Sequence, residues 1–154
     1  MSRIELTSRS AEETLQWGRE IGQRLHPPAL VALSGELGAG KTTLTKGIVS
    51  GLGAASEEEV TSPTFTLVHA YHNGARVYHV DLYRVTDFHD FETLGIEDIF
   101  ADPAVVVIEW AEKVNLRTDW PVVQIHLEHV DEDSRQIAID DSTGLLGELR
   151  AVES

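Results

Sequence analysis

Residues 35–42 read Gly-Glu-Leu-Gly-Ala-Gly-Lys-Thr, the pattern G-x-x-x-x-G-K-[ST]. They stand between a short, continuously apolar run at residues 29–33 and a segment of helical character at residues 44–52. No other stretch of the chain restricts the fold as strongly. Glycines let successive backbone N–H groups turn inward around phosphate oxygens, and a helix starting just after them directs its positive end at the same anion. The Lys41 ammonium is placed to reach the β and γ phosphates, and the Thr42 hydroxyl to ligate Mg²⁺. The candidate phosphate-binding residues are therefore Gly35, Glu36, Leu37, Gly38, Ala39, Gly40, Lys41, Thr42 and Thr43. Strand, loop and helix in that order are also the context such a motif needs in order to be read as a nucleotide site.

The flanking pattern extends this unit into an α/β fold. Residues 3–7 alternate and read as a short strand. Ser10 and Glu13 have capping-box spacing ahead of Leu15, Trp17, Gly18, Ile21 and Leu25, which share a helix face, and His26-Pro27-Pro28 stops that helix. Gly53 closes the helix at residues 44–52. Strand-like runs at residues 65–71 and 75–82 flank Asn73-Gly74, a hairpin signal. Residues 87–94 read as a short helix and residues 105–108 as a buried strand. Residues 122–129 and 136–139 form a second hairpin, and residues 144–152 a weak terminal helix. Two hairpins make the sheet mixed. The expected architecture is one P-loop NTPase-like α/β domain over residues 1–154, its central sheet flanked by helices. Residues after about 141 are expected to be a weakly ordered acidic tail or short helix.

Composition removes several alternatives. With no cysteine, a disulfide scaffold, a thiol nucleophile and a thiolate zinc site are excluded. The chain has no apolar run near the ~18 residues of a membrane span, and its start lacks the apolar stretch of a signal peptide, so a cytoplasmic protein is expected. The net charge of −14 is unevenly placed: residues 1–77 hold 7 basic and 8 acidic residues, residues 78–154 hold 5 and 18. Nucleic acid is bound by neutralising phosphates, so the second half is not expected to face it unaided. That half is either a solvated acidic surface or a docking face for a basic partner.

A phosphate loop needs an acid for Mg²⁺ at the end of an apolar strand. Asp81 and Glu109 both qualify, Asp81 for the metal shell and Glu109 for metal and water together. Residues 61–64, Thr-Ser-Pro-Thr, follow the loop helix at a distance suited to a γ-phosphate switch, or form a polar turn. Trp110 either packs near the base or fills the core. Histidines three apart (His69 and His72, His126 and His129) fall on opposite faces of a strand and do not share a metal ion. A small-molecule kinase would carry an arginine-rich lid, and the five arginines after the loop do not cluster. Without an arginine finger, which is worth roughly 10³–10⁵ in rate, hydrolysis by the chain alone is expected to be slow. A nucleotide-gated binding module remains the non-enzymatic alternative.

Five segments in series resemble the bacterial ATPase family of tRNA threonylcarbamoyladenosine biosynthesis (TsaE). They are the loop at residues 35–43, Thr-Ser-Pro-Thr-Phe-Thr-Leu at 61–67, Tyr-His-Val-Asp-Leu-Tyr-Arg at 78–84, Leu-Gly-Ile-Glu-Asp-Ile-Phe at 94–100, and Val-Ile-Glu-Trp-Ala-Glu-Lys at 107–113. The resemblance runs from about residue 10 to about residue 140. It implies ATP/ADP and Mg²⁺ as ligands, and action with the threonylcarbamoyl transferase and its paralogous partner subunit. The modification would be at adenosine 37 of tRNAs reading codons that begin with A, with tRNA contacted mainly through the complex. It implies Lys41 and Thr42 on phosphate and Mg²⁺, Asp81 in support of the metal, and Glu109 as metal ligand and water-orienting catalytic residue beside Lys41. It implies Thr64 as the switch hydroxyl, Trp110 as the aromatic near the nucleotide, and Ser10 and Arg135 near the base.

Overall fold

In the computed structural model, the described residues are 2–36, 38–60, 68–71, 73, 76–82, 96–113, 118–147 and 149. Strand β1 (Ser2–Ser8) leads into helix α1 (Ala11–Arg24), then β2 (Ala29–Gly35) and α2 (Lys41–Gly51). A 3-10 turn at Glu57–Glu59 precedes β3 (Val68–Tyr71) and β4 (Val77–Asp81). A single helical turn, α3 (Ile96–Ile99), precedes β5 (Val105–Glu109), a 3-10 turn at Ala111–Lys113, and the pair β6 (Val122–His129) and β7 (Arg135–Asp141). The sheet has seven strands in the order β1-β7-β6-β2-β5-β4-β3. The four central strands β6, β2, β5 and β4 are parallel, while β3, β7 and β1 pair antiparallel at the two sides. The mixed α/β sheet expected from the sequence is the one observed. The helix read at residues 87–94, the start of the first hairpin at residues 65–67 and most of its turn lie outside the described residues, as does much of the terminal helix at residues 144–152. Leu146 and Leu149, past β7, are fully buried against the core.

The period-2 alternation of each strand divides the core in two. On the helix side, Val31, Leu33, Val105, Val107, Val123, Ile125 and Leu127 pack against Trp17, Ile21, Leu44 and Ile48. On the other side, Leu30, Val80, Val106 and Ile108 pack with Leu82, Ile99 and Ala104. β5 is buried at every position because both faces are covered, which explains its unbroken apolar reading. It ends in Glu109, an odd-numbered residue that therefore turns to the helix side with Val105 and Val107.

The two long helices touch backbone to backbone. Gly18 on α1 meets Gly47 on α2, Gly22 lies against the Ile48 and Leu52 backbone, and Gly51 against the Arg19 backbone. The two glycines of each helix are spaced four apart, so each bare stripe admits the other helix's backbone. A Cβ on Gly22 would lie 2.2 Å from the Ile48 carbonyl oxygen, and one on Gly47 2.3 Å from that of Leu15. Arg19 then clasps the turn after α2 through a bidentate pair with Glu57, whose carboxyl it holds below the usual range. This close contact sets α1 against the start of α2, where the functional loop sits. Gly22→Ala and Gly47→Ala are each expected to cost about 1–3 kcal/mol, since backbone rather than a flexible side chain must yield. Urea denaturation checks this; an unchanged midpoint in either variant would contradict the packing.

Candidate nucleotide site

The loop between β2 and α2 turns on glycine. Gly40, the residue before α2, has φ 102° and Gly38 has φ 81°, left-handed conformations that a side chain would strain. α2 has no side-chain cap, so its first N–H groups remain directed at the loop. Lys41, the first residue of α2, is only 5% exposed. Its Nζ donates to the carbonyls of Gly35 (2.6 Å) and Glu36 (2.7 Å) and lies 3.9 Å from the centroid of the Trp110 ring. Burial pulls the Lys41 ammonium below its ordinary value, against the opposing pull of Glu112, Glu109, Asp81 and Glu36. More carboxylates than cations converge here, an arrangement suited to an added positive charge.

The two candidate acids come together. β4 and β5 are parallel neighbours with Asp81 in register with Glu109, so both strands deliver a carboxylate to the same end of the sheet. Asp81 is 7% and Glu109 2% exposed. The Thr42 hydroxyl, in the first turn of α2, donates to Glu109 Oε1 at 2.9 Å and Oε2 at 3.2 Å. A hydroxyl and two carboxylates are hard oxygen donors that fit Mg²⁺, which keeps its remaining positions for phosphate and water.

Trp110 follows Glu109 with φ 62°, a left-handed conformation costing about 1–2 kcal/mol for a residue with a side chain. That turn carries the ring over Lys41 rather than fully into the core. Glu112, in the next 3-10 turn, accepts from the Gly35 backbone N–H at 3.3 Å and so ties the end of β2 to the end of β5.

Ser10 and Arg135, far apart in the chain, line one small cavity of about 120 Å³ together with Thr14, Gly40, Thr43, Glu132 and Asp133. The Ser10 hydroxyl also caps α1, accepting from the Glu13 N–H at 3.1 Å. Arg135 donates to the Gly38 carbonyl at 3.3 Å and to the Ser134 carbonyl at 3.0 Å, binding the β6–β7 turn to the phosphate loop. That turn is ordered by Asp131, which accepts from the N–H groups of Asp133 and Ser134 and is held below the usual carboxylate range by them.

Of the residues singled out from the sequence, the structure brings together Lys41, Thr42, Glu109, Asp81 and Trp110 at the loop mouth, and Ser10, Thr43, Gly40 and Arg135 at the adjoining cavity. Leu37 and Thr64 lie outside the described residues. Sequence reasoning missed Glu112, Thr14 and His79. His79 stands two residues before Asp81 on β4, so strand alternation places it on the same face, a signal that the spacing of histidines three apart does not carry. Among the described residues no helix is long and apolar enough to cross a membrane.

The chain is similar to known proteins over most of its length. A family model described as threonylcarbamoyl adenosine biosynthesis protein TsaE matches residues 8–137. The tRNA threonylcarbamoyladenosine biosynthesis protein TsaE of Treponema pallidum is 40% identical over 132 residues, covering 86% of this chain and 96% of that protein. Its namesake from Haemophilus influenzae is 37% identical over 137 residues, covering 85% of each. A crystal structure of Bacillus subtilis YdiB superposes with a TM-score of 0.75 at 26% identity, over 99% of this chain and 97% of that one. With a family model matching from the end of β1 into β7 and relatives of this identity over most of their length, the chain belongs to the TsaE family of threonylcarbamoyl adenosine biosynthesis proteins.

Proposed function

We propose that this chain is a Mg²⁺-dependent ATPase required for the threonylcarbamoyl modification of adenosine 37 in tRNAs that read codons beginning with A. It acts in the cytoplasm with the threonylcarbamoyl transferase and its paralogous partner subunit. The observation that carries this reading is the hydrogen bond from Thr42 to Glu109, 2.9 Å long, beside the buried ammonium of Lys41. It joins the phosphate loop to the strand-end acid that nucleotide hydrolysis requires. Thr42, Asp81 and Glu109 would hold Mg²⁺, whose charge offsets that building up on the phosphate oxygens. Lys41 exchanges its two loop carbonyls for phosphate, and the loop N–H groups take the remaining oxygens. Glu109 accepts a hydrogen bond from the attacking water and orients it. Thr43, Ser10 and Arg135 border the nucleoside, Trp110 lies beside it, and Thr64 is assigned to sensing the γ phosphate. The acidic second half leaves the tRNA to the partner proteins.

Replacement of the chromosomal relative in a bacterium by this chain tests the role. Mass spectrometry of tRNA nucleosides is expected to find normal threonylcarbamoyladenosine with the wild-type chain and severe depletion with Lys41→Ala expressed at the same level. Equal levels with both would contradict a nucleotide-dependent role. A second expectation concerns Trp110 alone: because Lys41 leaves the indole face when phosphate binds, ADP should change tryptophan fluorescence. Trp110→Phe should remove that change while Trp17 and Trp120 remain. An identical change in the variant would place the Lys41 movement elsewhere.

A further inference from the structure

The imidazole of His79 is completely buried, and its Nε2 lies 2.5 Å from Glu109 Oε2. Its other nitrogen, Nδ1, is buried without a hydrogen-bond partner among the described residues. A buried ring with one nitrogen against a carboxylate and the other facing no partner places its N–H on Nε2, where the hydrogen bond is made. An unpartnered buried polar atom is costly, so the contact to Glu109 is the compensation the ring has.

The acid at this strand end is Glu where phosphate loops usually employ Asp. The additional methylene adds a rotatable bond, and a glutamate held by Thr42 alone could swing about that contact. His79 is opposite Val107 in the β4–β5 register, two residues back from Asp81 and Glu109 and on the same face. It therefore approaches the carboxylate from beneath the loop, and Thr42 from α2. Two donors from two elements define the plane and direction of one carboxyl group.

We propose that His79 is a positioning residue that holds Glu109 in its working orientation by donating Nε2–H to Oε2. The proposal deepens the hydrolytic reading of Glu109 and rests on it. Second contacts of this kind, which orient the groups around a metal, cost about 10–100-fold in metal affinity or activity when removed. Glutamine can supply a donor near the Nε2 position, while asparagine reaches only to the position of Nδ1.

The test compares His79→Gln, His79→Asn and His79→Leu with the wild type and with Glu109→Gln, each checked for cooperative thermal unfolding. Two quantities are read: ATP turnover in the assembled complex, and ADP affinity by calorimetry with and without Mg²⁺. His79→Asn and His79→Leu are expected to lose about tenfold or more in kcat with KM for ATP nearly unchanged. They should also lose most of the gain in ADP affinity that Mg²⁺ provides, and His79→Gln should recover both. A ring that only filled space would instead lower stability in all three and leave the Mg²⁺ effect intact. Wild-type kcat and Mg²⁺ effect in folded His79→Asn, with Glu109→Gln impaired, would overturn the positioning role alone. If Glu109→Gln itself turned over normally, the hydrolytic assignment of Glu109 would fall, and this proposal with it. Should His79→Leu not fold, the Gln and Asn pair decides. Nitrogen NMR of the wild-type protein supplies an independent readout: the proton is expected on Nε2, and finding it on Nδ1 would overturn the proposal.

Discussion

Lys41→Ala is expected to weaken ATP and ADP binding about a hundredfold, the equivalent of about 3 kcal/mol for lost charge-assisted contacts to phosphate. The ammonium is buried beside the loop, where burial alone disfavours its charge. What holds it there are two loop carbonyls, the Trp110 face and the surrounding carboxylates. A phosphate offers stronger acceptors in the same place. The same reasoning separates binding from folding. Lys41→Met removes a buried charge while keeping most of the side-chain volume, so its melting temperature should match or exceed that of the wild type while nucleotide affinity is lost. Calorimetric titration with ADP, beside a thermal melt, checks both; undiminished affinity would contradict the cradle.

Glu109→Gln is expected to lower ATP turnover by about 10²–10³ while leaving ATP affinity within a few-fold. The amide preserves the shape of the side chain and can still accept from Thr42. It lacks the negative charge that orients and polarises a water, and its NH₂ group offers a donor where His79 also donates. Loss of turnover with retained binding is the signature of a group used in the transition state rather than in the ground state. Asp81→Asn should be milder, because Glu109 rather than Asp81 makes the direct contact to Thr42. Steady-state kinetics in the assembled complex read both. Equal turnover in Glu109→Gln and wild type would remove Glu109 from the mechanism.

The phosphate loop was legible because its residue types answer local requirements: glycine for left-handed backbone, lysine for charge, threonine for a hydroxyl in the first helical turn. The strands were legible from their alternation, and β5 from having none. The two acids could be named but not joined, since that takes the parallel pairing of β4 with β5, a contact nonlocal in sequence. Ser10 and Arg135 are assigned to the nucleotide by resemblance alone, Ser10 being otherwise legible only as a helix cap; their shared cavity depends on β1 pairing with β7, a contact nonlocal in sequence. Trp110 reads from sequence as a residue near the base or in the core; the structure packs it half-buried against the second core cluster and also places its ring against Lys41, a contact the sequence does not show. The glycine stripes on α1 and α2 read as ordinary helix residues. Their role emerges only when two backbones approach too closely for a Cβ.

Steady-state ATP hydrolysis by the purified chain, measured with and without the transferase and its partner subunit, tests the central claim most directly. Slow turnover alone that rises on adding the two proteins, and does not rise for Glu109→Gln, is the expected result. It would place the missing catalytic element in the partners and the water-orienting group in this chain. Unchanged turnover in an assembly shown to be intact would contradict the partner-completed ATPase and favour a nucleotide-gated binding module or a different partner.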